Sequence, residues 1–216
     1  MKKVESVDIA CWLLASTAIA VVLITAPSRV KSEALPATID FVWSPTENRA
    51  VFTIADDKQS DSDCPTALFE IDLVGPTVDR LLRAHSSATV PEDDMSCFYD
   101  PKYSADGQFV YFVTPAWPTS GAIQAYDRQS SNVKFIIDGG PYLVVGSGPL
   151  AGDLLVLRRK YPDNIGAGAY EEIDIVDPGS GHVIVATEPL RGLLRAAHGL
   201  RELKMMIERQ EGWRVW

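Results

Sequence analysis

Two stretches of the chain share one pattern of strand, turn and strand, and this repeat limits the fold more than any other feature. Residues 41–54 and 101–113 each have, near their start, an aromatic residue directly before a serine, then a turn, and then a strand of alternating apolar residues. Asp106 and Gly107 form the turn in the second stretch, because glycine tolerates positive φ. Alternation of apolar and polar residues is typical of half-buried strands. The pattern therefore predicts repeated antiparallel hairpins.

A second hairpin follows each of these, and a third unit of the same kind comes later in the chain. The expected strands of these hairpins are Ala67–Leu73 with Val78–Leu82, Ala122–Asp127 with Val133–Ile137, and Glu172–Asp177 with His182–Ala186. Tyr142–Val145 and Asp153–Arg159 open the third unit. A four-stranded propeller blade takes about 40–50 residues. The sequence thus predicts an all-β domain over residues 35–186 with three four-stranded antiparallel units.

The repeats resemble a known family. Ser44-Pro45, the segment Tyr103–Phe112 and the Tyr126-Asp127 pair before a turn are similar to the repeats of TolB-type, WD40-like β-propellers of the bacterial cell envelope. The resemblance is best over residues 96–138 and weakest over residues 139–186. It implies propeller-like blades and an envelope protein that interacts with other proteins.

Three blades are fewer than a closed propeller needs, which is about 4–8. The exposed edge of such a partial propeller must be managed, because an unpaired edge promotes aggregation. We expect an open array of blades, a ring completed by a second copy of the chain, or an edge covered by a partner.

The first 34 residues have the pattern of an export signal. Lys2 and Lys3 precede an apolar run of 18 residues, Ile9–Ala26, that contains no charge. A basic segment followed by an apolar one is typical of a signal peptide, and a membrane span needs about 20 residues. Residues 1–34 are therefore either a signal cleaved after Ser32–Ala34 or an uncleaved inner-membrane anchor. Both alternatives predict a periplasmic or otherwise extracytoplasmic domain.

Export determines how the cysteines are interpreted. Beyond the apolar run the chain contains Cys64 and Cys97. An even number of cysteines in an oxidising compartment favours a disulfide. Two separate buried thiols are the alternative.

The charge distribution argues against nucleic acid as a partner. The formal net charge is −9, with 29 acidic and 20 basic side chains. Residues 1–34 carry +1 and residues 187–216 carry +2, which leaves −12 on residues 35–186. A nucleic-acid-binding domain needs a basic surface. The distribution instead predicts an attraction between the basic tail and the acidic body, or between the tail and an acidic partner.

Residues 187–216 have the pattern of an amphipathic helical tail. The apolar residues share one helical face, and they are Leu193, Ala197, Leu200, Leu203 and Ile207. This spacing is typical of a helix with one buried side. We expect the helix to pack on its own sheet, with docking to a partner or to an anionic membrane surface as the alternative.

Six residues are candidates for contacts with a partner protein. Three are arginines of the tail, and three are tryptophans near prolines or near the C-terminus: Arg191, Arg195, Arg201, Trp117, Trp213 and Trp216. Exposed aromatic and arginine side chains are frequent anchors of protein interfaces. The alternative for the tryptophans is that their rings fold back over a blade.

The sequence shows no catalytic constellation, and we expect no cofactor and no metal. Gly146–Gly152 lacks the spacing of a nucleotide-binding loop and is interpreted as a turn between strands. Two acidic segments are interpreted as solvated loops: one contains Asp56, Asp57, Asp61 and Asp63, and the other is Glu92–Asp94. The alternative is that these carboxylates bind calcium.

The leading interpretation is a non-catalytic envelope protein that binds another envelope protein, or a second copy of itself, through a blade surface. The alternative is an envelope enzyme or a small-ligand-binding protein. That alternative requires a pocket at the blade rim in which His85 or Tyr170 meets several acidic side chains.

Overall fold

The computed structural model describes residues 40–55, 64–75, 77–86, 89–118, 120–161, 168–186, 188–210 and 212–216. The chain divides into the units Met1–Leu35 and Pro36–Trp216, and the fold described below is that of the second unit. The predicted signal or anchor and the acidic segment 56–63 lie outside the described residues. None of the helices within the described ranges is long and apolar enough to span a bilayer.

The described strands form three four-stranded antiparallel sheets, and each sheet takes its strands in chain order. Blade 1 contains β1 (Phe41–Trp43), β2 (Arg49–Ile54), β3 (Ala67–Asp72) and β4 (Thr77–Arg83). Blade 2 contains β5 (Tyr99–Tyr103), β6 (Phe109–Trp117), β7 (Ser120–Asp127) and β8 (Val133–Asp138). Blade 3 contains β9 (Tyr142–Val144), β10 (Leu154–Lys160), β11 (Tyr170–Asp177) and β12 (His182–Ile184). The prediction of an all-β architecture with three propeller-like blades is therefore confirmed.

One kind of turn joins the last two strands of every blade. The third strand ends in an aspartate whose Oδ1 accepts a hydrogen bond from the backbone N–H two residues later. The pairs are Asp72 with Val74 at 2.9 Å, Asp127 with Gln129 at 2.8 Å, and Asp177 with Gly179 at 2.8 Å. Such bonds from an aspartate to the following backbone begin tight turns. They explain why aspartate recurs at this position in the three units.

The turn aspartates should make the stability of the protein depend on acid pH. The pKa of Asp72 is lowered mainly by the Val74 N–H, and those of Asp127 and Asp177 mainly by a serine hydroxyl in the turn. A carboxyl group with a lowered folded-state pKa stabilises the fold above its unfolded pKa, about 3.9. That contribution is lost as the pH falls through the folded value.

We therefore expect the urea midpoint of the wild-type protein to fall as the pH drops below about 4. The double variant Asp127→Asn/Asp177→Asn keeps an acceptor oxygen in each turn but cannot ionise there, so its decline should be shallower. Urea unfolding at several pH values measures both slopes. Parallel declines in the two proteins would contradict the expectation.

The predicted Ser-x-Asp-Gly turn joins β5 to β6. Ser104 Oγ donates to Asp106 Oδ1 at 2.6 Å and accepts from the backbone N–H of Phe109 at 2.9 Å. Gly107 has a φ of 74°, a conformation that favours glycine. The turn thus fixes the register with which the long strand β6 enters blade 2.

Blade 2 is buried on both faces, and the alternation of its side chains decides which core each one joins. Val110 and Phe112 of β6 pack with residues of blade 1, including Val51 and Leu68. Tyr111, the residue between them, packs with residues of blade 3. Because successive side chains of a strand point to opposite faces, β6 contributes to both cores. The blades therefore pack face to face in the order 1, 2, 3.

A buried carboxylate links blade 1 to blade 2. Glu70 of β3 accepts hydrogen bonds from Tyr103 Oη at 2.8 Å and from Arg49 Nη1 at 3.1 Å. Its second cationic partner is Arg128, whose Nε lies 2.9 Å from Glu70 Oε1. Burial, together with the Glu70 charge, raises the pKa of the Tyr103 hydroxyl. A buried charge needs such partners, because an unpaired one would be strongly destabilising.

The predicted disulfide joins Cys64 to Cys97, with the two Cα atoms 5.5 Å apart. Cys64 precedes β3 and Cys97 precedes β5, so the bond ties blade 1 to the segment that enters blade 2. A backbone hydrogen bond from Phe98 N to Pro65 O, at 2.8 Å, lies beside it. The disulfide prediction is confirmed.

The tail contains two helices, α1 (Glu188–Ala196) and α2 (Leu200–Gln210), instead of the single helix predicted. The break includes Gly199, whose φ of 154° is outside the helical range. The predicted apolar side is confirmed, because Leu193, Leu203 and Ile207 pack on blade 3 in one core. The tail therefore covers the face of blade 3 that points away from blade 2.

The last three residues continue past α2 and lie along β9. Val144 and Trp216 exchange two backbone hydrogen bonds, of 2.7 and 3.0 Å, and Gly146 N donates to Arg214 O at 2.7 Å. The Trp216 indole Nε1 donates to Tyr103 O at 3.0 Å. This end of the tail was predicted to be helical, but it forms an isolated antiparallel β-bridge, Val145 with Val215, at one edge of blade 3.

Candidate functional site

A cleft of about 700 Å³ separates the outer strands of blade 3 from α1. One wall consists of β11 and β12, and it includes Tyr170 and Val183. The other wall consists of α1 and the loop that follows it, and it includes Arg195 and His198. We call this feature the β11–α1 cleft.

The cleft exists because β12 is much shorter than β11. β11 has eight residues and β12 has three. The register pairs Ile184 with Ile175 and His182 with Asp177, so β12 reaches only the last three residues of β11. Residues 170–174 pair with β10, and no other described strand pairs with their opposite edge. The outer strands of blades 1 and 2 have seven and six residues, and they leave no comparable gap.

The two walls carry opposite charges. Glu171 and Glu172 lie on the sheet wall, whereas Arg191 and Arg195 lie on the helix wall. Glu171, Glu172 and Arg195 are exposed or partly exposed, and none of the three takes part in an ion pair with another described residue. Their charges are therefore available to a partner that enters the cleft.

A third acid of the sheet wall is used differently. Asp174 is buried, and its Oδ2 lies 2.9 Å from Arg158 Nη1 and 2.6 Å from Lys160 Nζ. Because both cations come from β10, these ion pairs hold β10 and β11 together. Asp174 thus stabilises the wall and leaves Glu171 and Glu172 as its accessible acids.

Apolar side chains surround these charges. Tyr170, Val183 and Val185 are 52%, 46% and 80% exposed, and all three line the cleft. An aromatic side chain with neighbouring apolar residues and a charged surround is a frequent arrangement in protein-binding surfaces. The cleft can therefore offer a partner both apolar contact and paired charges.

His198 lies at the end of the cleft and helps to begin α2. Its backbone N–H donates to Glu202 Oε2 at 2.8 Å, which resembles one half of a capping box. No three His, Cys, Asp or Glu side chains of the described ranges are grouped so that they could hold a metal ion.

The structure brings two of the predicted partner-binding residues together. Arg191 and Arg195 both line the cleft. Arg201 is exposed on α2, outside the cleft. Trp117 ends β6, where it is half-buried and pairs with Ser120.

The two C-terminal tryptophans pack on the glycine-rich turn of blade 3. A Cβ atom added at Gly146 would lie 1.8 Å from the Trp216 ring, and one added at Gly148 would lie 2.6 Å from the Trp213 ring. Gly146–Gly152 connects β9 to β10, as expected for a turn between strands. The glycines are needed because the rings occupy the space of their missing side chains.

The residues named for an enzymatic pocket line different pockets. Tyr170 belongs to the β11–α1 cleft, whereas His85 lines a pocket of about 480 Å³ with Glu92, Asp93 and Met95. The two side chains therefore do not form one site. Glu92 and Asp93 belong to a short 3-10 turn, Pro91–Asp93.

A partly buried charged pair of β5 contacts β9 away from the cleft. Asp100 and Lys102 form an ion pair, and the Lys102 Nζ lies 4.4 Å from the centroid of the Tyr142 ring. Burial raises the pKa of Asp100 and lowers that of Lys102. The Tyr142 hydroxyl donates to Asp100 O at 2.9 Å, so this group packs blade 2 against blade 3.

Sequence reasoning missed the sheet wall of the cleft. It placed the last strand at His182–Ala186, but β12 ends at Ile184, and no described strand pairs with the outer edge of residues 170–174 of β11. Glu172 and Val183 were therefore interpreted as ordinary strand residues, and Glu171 was placed before the strand, although β11 begins at Tyr170. Thr187 and Pro189 so soon after the strand were the available signal that the chain leaves the sheet early.

Comparisons with known proteins gave structural similarities only. No protein-family model matches the chain, and no curated protein matches it. Among solved structures, TolB from Acinetobacter baumannii has a TM-score of 0.40 at 18% identity, over 63% of this chain and 29% of that chain. The β-propeller domain of the Trilobed protease from Pyrococcus furiosus has a TM-score of 0.41 at 14% identity, over 65% and 39%. An oligogalacturonate lyase in complex with manganese has a TM-score of 0.41 at 7% identity, over 63% and 32%. The matched part spans about a third of the length of these three proteins.

Proposed function

We propose that this chain is a non-catalytic, exported protein that binds another protein of the cell envelope through the β11–α1 cleft. The observation that carries the proposal is the cleft itself, which exposed Tyr170 lines together with Glu171, Glu172 and Arg195. None of these three charged side chains has an ion-pair partner within the described residues. Opposite charges on the two walls favour a partner with complementary charges, because electrostatic complementarity guides association and specificity.

Two further features support the cellular location in this proposal. The basic start and the apolar run of residues 1–34 have the pattern of an export signal. The disulfide between Cys64 and Cys97 is of a kind that persists in oxidising compartments. The sequence resemblance of the blade repeats to TolB-type proteins agrees with an envelope location.

The proposal predicts that reversing one charge of the helix wall weakens partner binding. Removing the whole tail is not a clean test, because Leu203 and Ile207 contribute to the core of blade 3. We expect immobilised wild-type protein to recover an envelope protein from a solubilised envelope extract. The variant Arg195→Glu should recover about tenfold less, since it places like charges together in the cleft. Quantitative mass spectrometry of the eluates measures the ratio.

Arg201→Glu is the matched control, because it makes the same substitution on an exposed tail residue outside the cleft. Its recovery of the partner should equal that of the wild type. Equal recovery by the wild type and both variants would contradict the cleft as the binding surface. Absence of any enriched protein would contradict the proposed function.

A further inference from the structure

Resting on the proposed function, we infer that the β11–α1 cleft binds an extended peptide segment of the partner, which adds a strand to blade 3 beside residues 170–174 of β11. Addition of a strand to an uncovered sheet edge is a general mode of peptide recognition, in which the backbone supplies affinity and alternate side chains supply specificity.

The hydrogen-bond pattern of blade 3 identifies the backbone groups that are available. Leu157 of β10 donates to Pro141 O and accepts from Gly140 N, so its backbone groups point toward β9. Because N–H and C=O groups alternate in direction along an antiparallel strand, the neighbouring residue Arg158 points toward β11. The register places Glu172 opposite Arg158. Glu172 therefore bonds inward to β10.

The residues on either side of Glu172 consequently point outward. Glu171 and Ile173 direct their N–H and C=O groups to the edge where β12 would continue. Asp177 lies an even number of residues from Glu171 and Ile173, so its backbone groups point to the same edge of β11. Its carbonyl indeed accepts there from Gly181 N at 2.7 Å. Two residues of β11 thus present backbone donors and acceptors along the floor of the cleft.

Within the described residues, the chain does not fill this edge with its own strand. Extending the Ile175–Ile184 register by two residues would place Ala186 opposite Ile173. Ala186 is not in a strand, and its carbonyl accepts instead from Arg191 Nη2 at 3.1 Å. β12 therefore ends at Ile184, and the cleft lies between this edge of β11 and α1.

The charges of the walls define the chemistry of the peptide. Glu172 and Ile173 are neighbours in a strand, so their side chains lie on opposite faces of the sheet. Ile173 shares the core of α1 and α2, and Glu172 therefore lies on the face away from the helices. A peptide strand beside β11 would place alternate side chains near Glu172 and near Arg195. The segment that fits is extended, with a lysine or arginine on the side of Glu172. On the other side Glu171 shares the face of Ile173, so both Glu171 and Arg195 line it, and a polar residue that can contact either charge fits there.

A proline substitution tests the backbone pairing separately from the charge. Glu171→Pro removes the outward N–H of residue 171 and leaves the hydrogen bonds of Tyr170 and Glu172 to β10 in place. Edge strands tolerate a proline whose nitrogen faces away from the neighbouring strand. Glu171→Ala removes the same carboxylate but keeps the N–H, and is the matched control.

The probe is a phage library of random dodecapeptides, selected on the immobilised wild-type protein. Selected peptides are then synthesised with a fluorescent label and titrated by anisotropy. We expect the dissociation constant for Glu171→Pro to rise by about tenfold or more, and that for Glu171→Ala to change by less than about threefold. The selected peptides should carry a lysine or arginine on the side of the strand that faces Glu172. Failure to select any peptide, or equal affinity of Glu171→Pro and wild type, would overturn the inference.

If the proline variant does not fold, amide hydrogen exchange on the wild-type protein tests the same backbone pairing. A selected peptide should slow exchange of the Glu171 and Ile173 amides, while the Glu172 and Asp174 amides, already bonded to β10, should change little. The alternative occupant is a second copy of this chain. In that case exchange of the Glu171 and Ile173 amides would slow as the protein concentration rises without peptide, and sedimentation would show a dimer. Both results together would overturn the peptide assignment. If Arg195→Glu loses the envelope partner but the partner does not protect Glu171 and Ile173, the proposed function stands and the strand-addition inference falls.

Discussion

Replacing Cys64 and Cys97 together with alanine should lower the free energy of unfolding by about 3–4 kcal/mol. The bond spans a sequence separation of 33 residues. In the loop-entropy model, a cross-link of that length restricts the unfolded chain more than it changes the folded one. The bond also joins blade 1 to the segment that enters blade 2, so its loss should loosen blade 1 first. Urea unfolding of the two proteins measures the difference.

Reduction supplies the control for this prediction. Wild-type protein treated with dithiothreitol should unfold at the urea concentration of the double alanine variant, and the variant should not respond to the reagent. A double variant as stable as the oxidised wild type would show that the disulfide does not stabilise the fold.

Trp216→Ala should lower the free energy of unfolding by about 3 kcal/mol, a value typical of truncating a large aromatic side chain in a core. The ring packs against the core shared by blades 2 and 3, and its Nε1 donates to Tyr103 O at 3.0 Å. Trp216→Phe keeps an aromatic ring and loses the hydrogen bond, so its cost should be smaller, about 1 kcal/mol. Urea unfolding again provides the measurement.

Gly146 allows a double-mutant test of the same contact. An added Cβ at Gly146 would lie 1.8 Å from the Trp216 ring, so Gly146→Ala should displace the ring and destabilise the wild-type protein. In the Trp216→Ala background the same change should cost much less, because the ring is absent. Additive effects of the two substitutions would contradict a direct contact, since residues in contact show coupling.

Local signals predicted most of the blade architecture. The Asp106-Gly107 turn and the alternation of β6 involve neighbours in the chain, and the structure shows both with hydrogen bonds of short sequence separation. The aspartates at the ends of β3, β7 and β11 also depend on neighbours, because each binds the backbone two residues later. Of these, Asp127 was predicted to lie before a turn, whereas β3 was predicted to extend to Leu73, one residue past Asp72. Features determined by neighbouring residues are therefore accessible from the sequence.

Features determined by distant residues were predicted less well. The break at Gly199 separates two helices that share one continuous apolar side, so the periodicity alone does not reveal it. From the sequence, Trp216 was a candidate for an exposed partner contact. In the structure its ring packs against Gly146, which lies 70 residues earlier in the chain. The sheet wall of the β11–α1 cleft depends on where β12 ends relative to β11. This is a difference in strand length that no local pattern encodes.

The order of the packed layers has an energetic consequence. Each core is shared by parts of the chain that are adjacent in sequence: blade 1 with blade 2, blade 2 with blade 3, and blade 3 with the tail helices. Stability in such a series is approximately a sum of nearest-neighbour interfaces, as in solenoid proteins. Local opening of blade 1 or of the two tail helices breaks one interface, whereas opening of blade 2 or blade 3 breaks two. The layers at either end of the series should therefore open most readily, and the tail that forms one wall of the β11–α1 cleft is one of them.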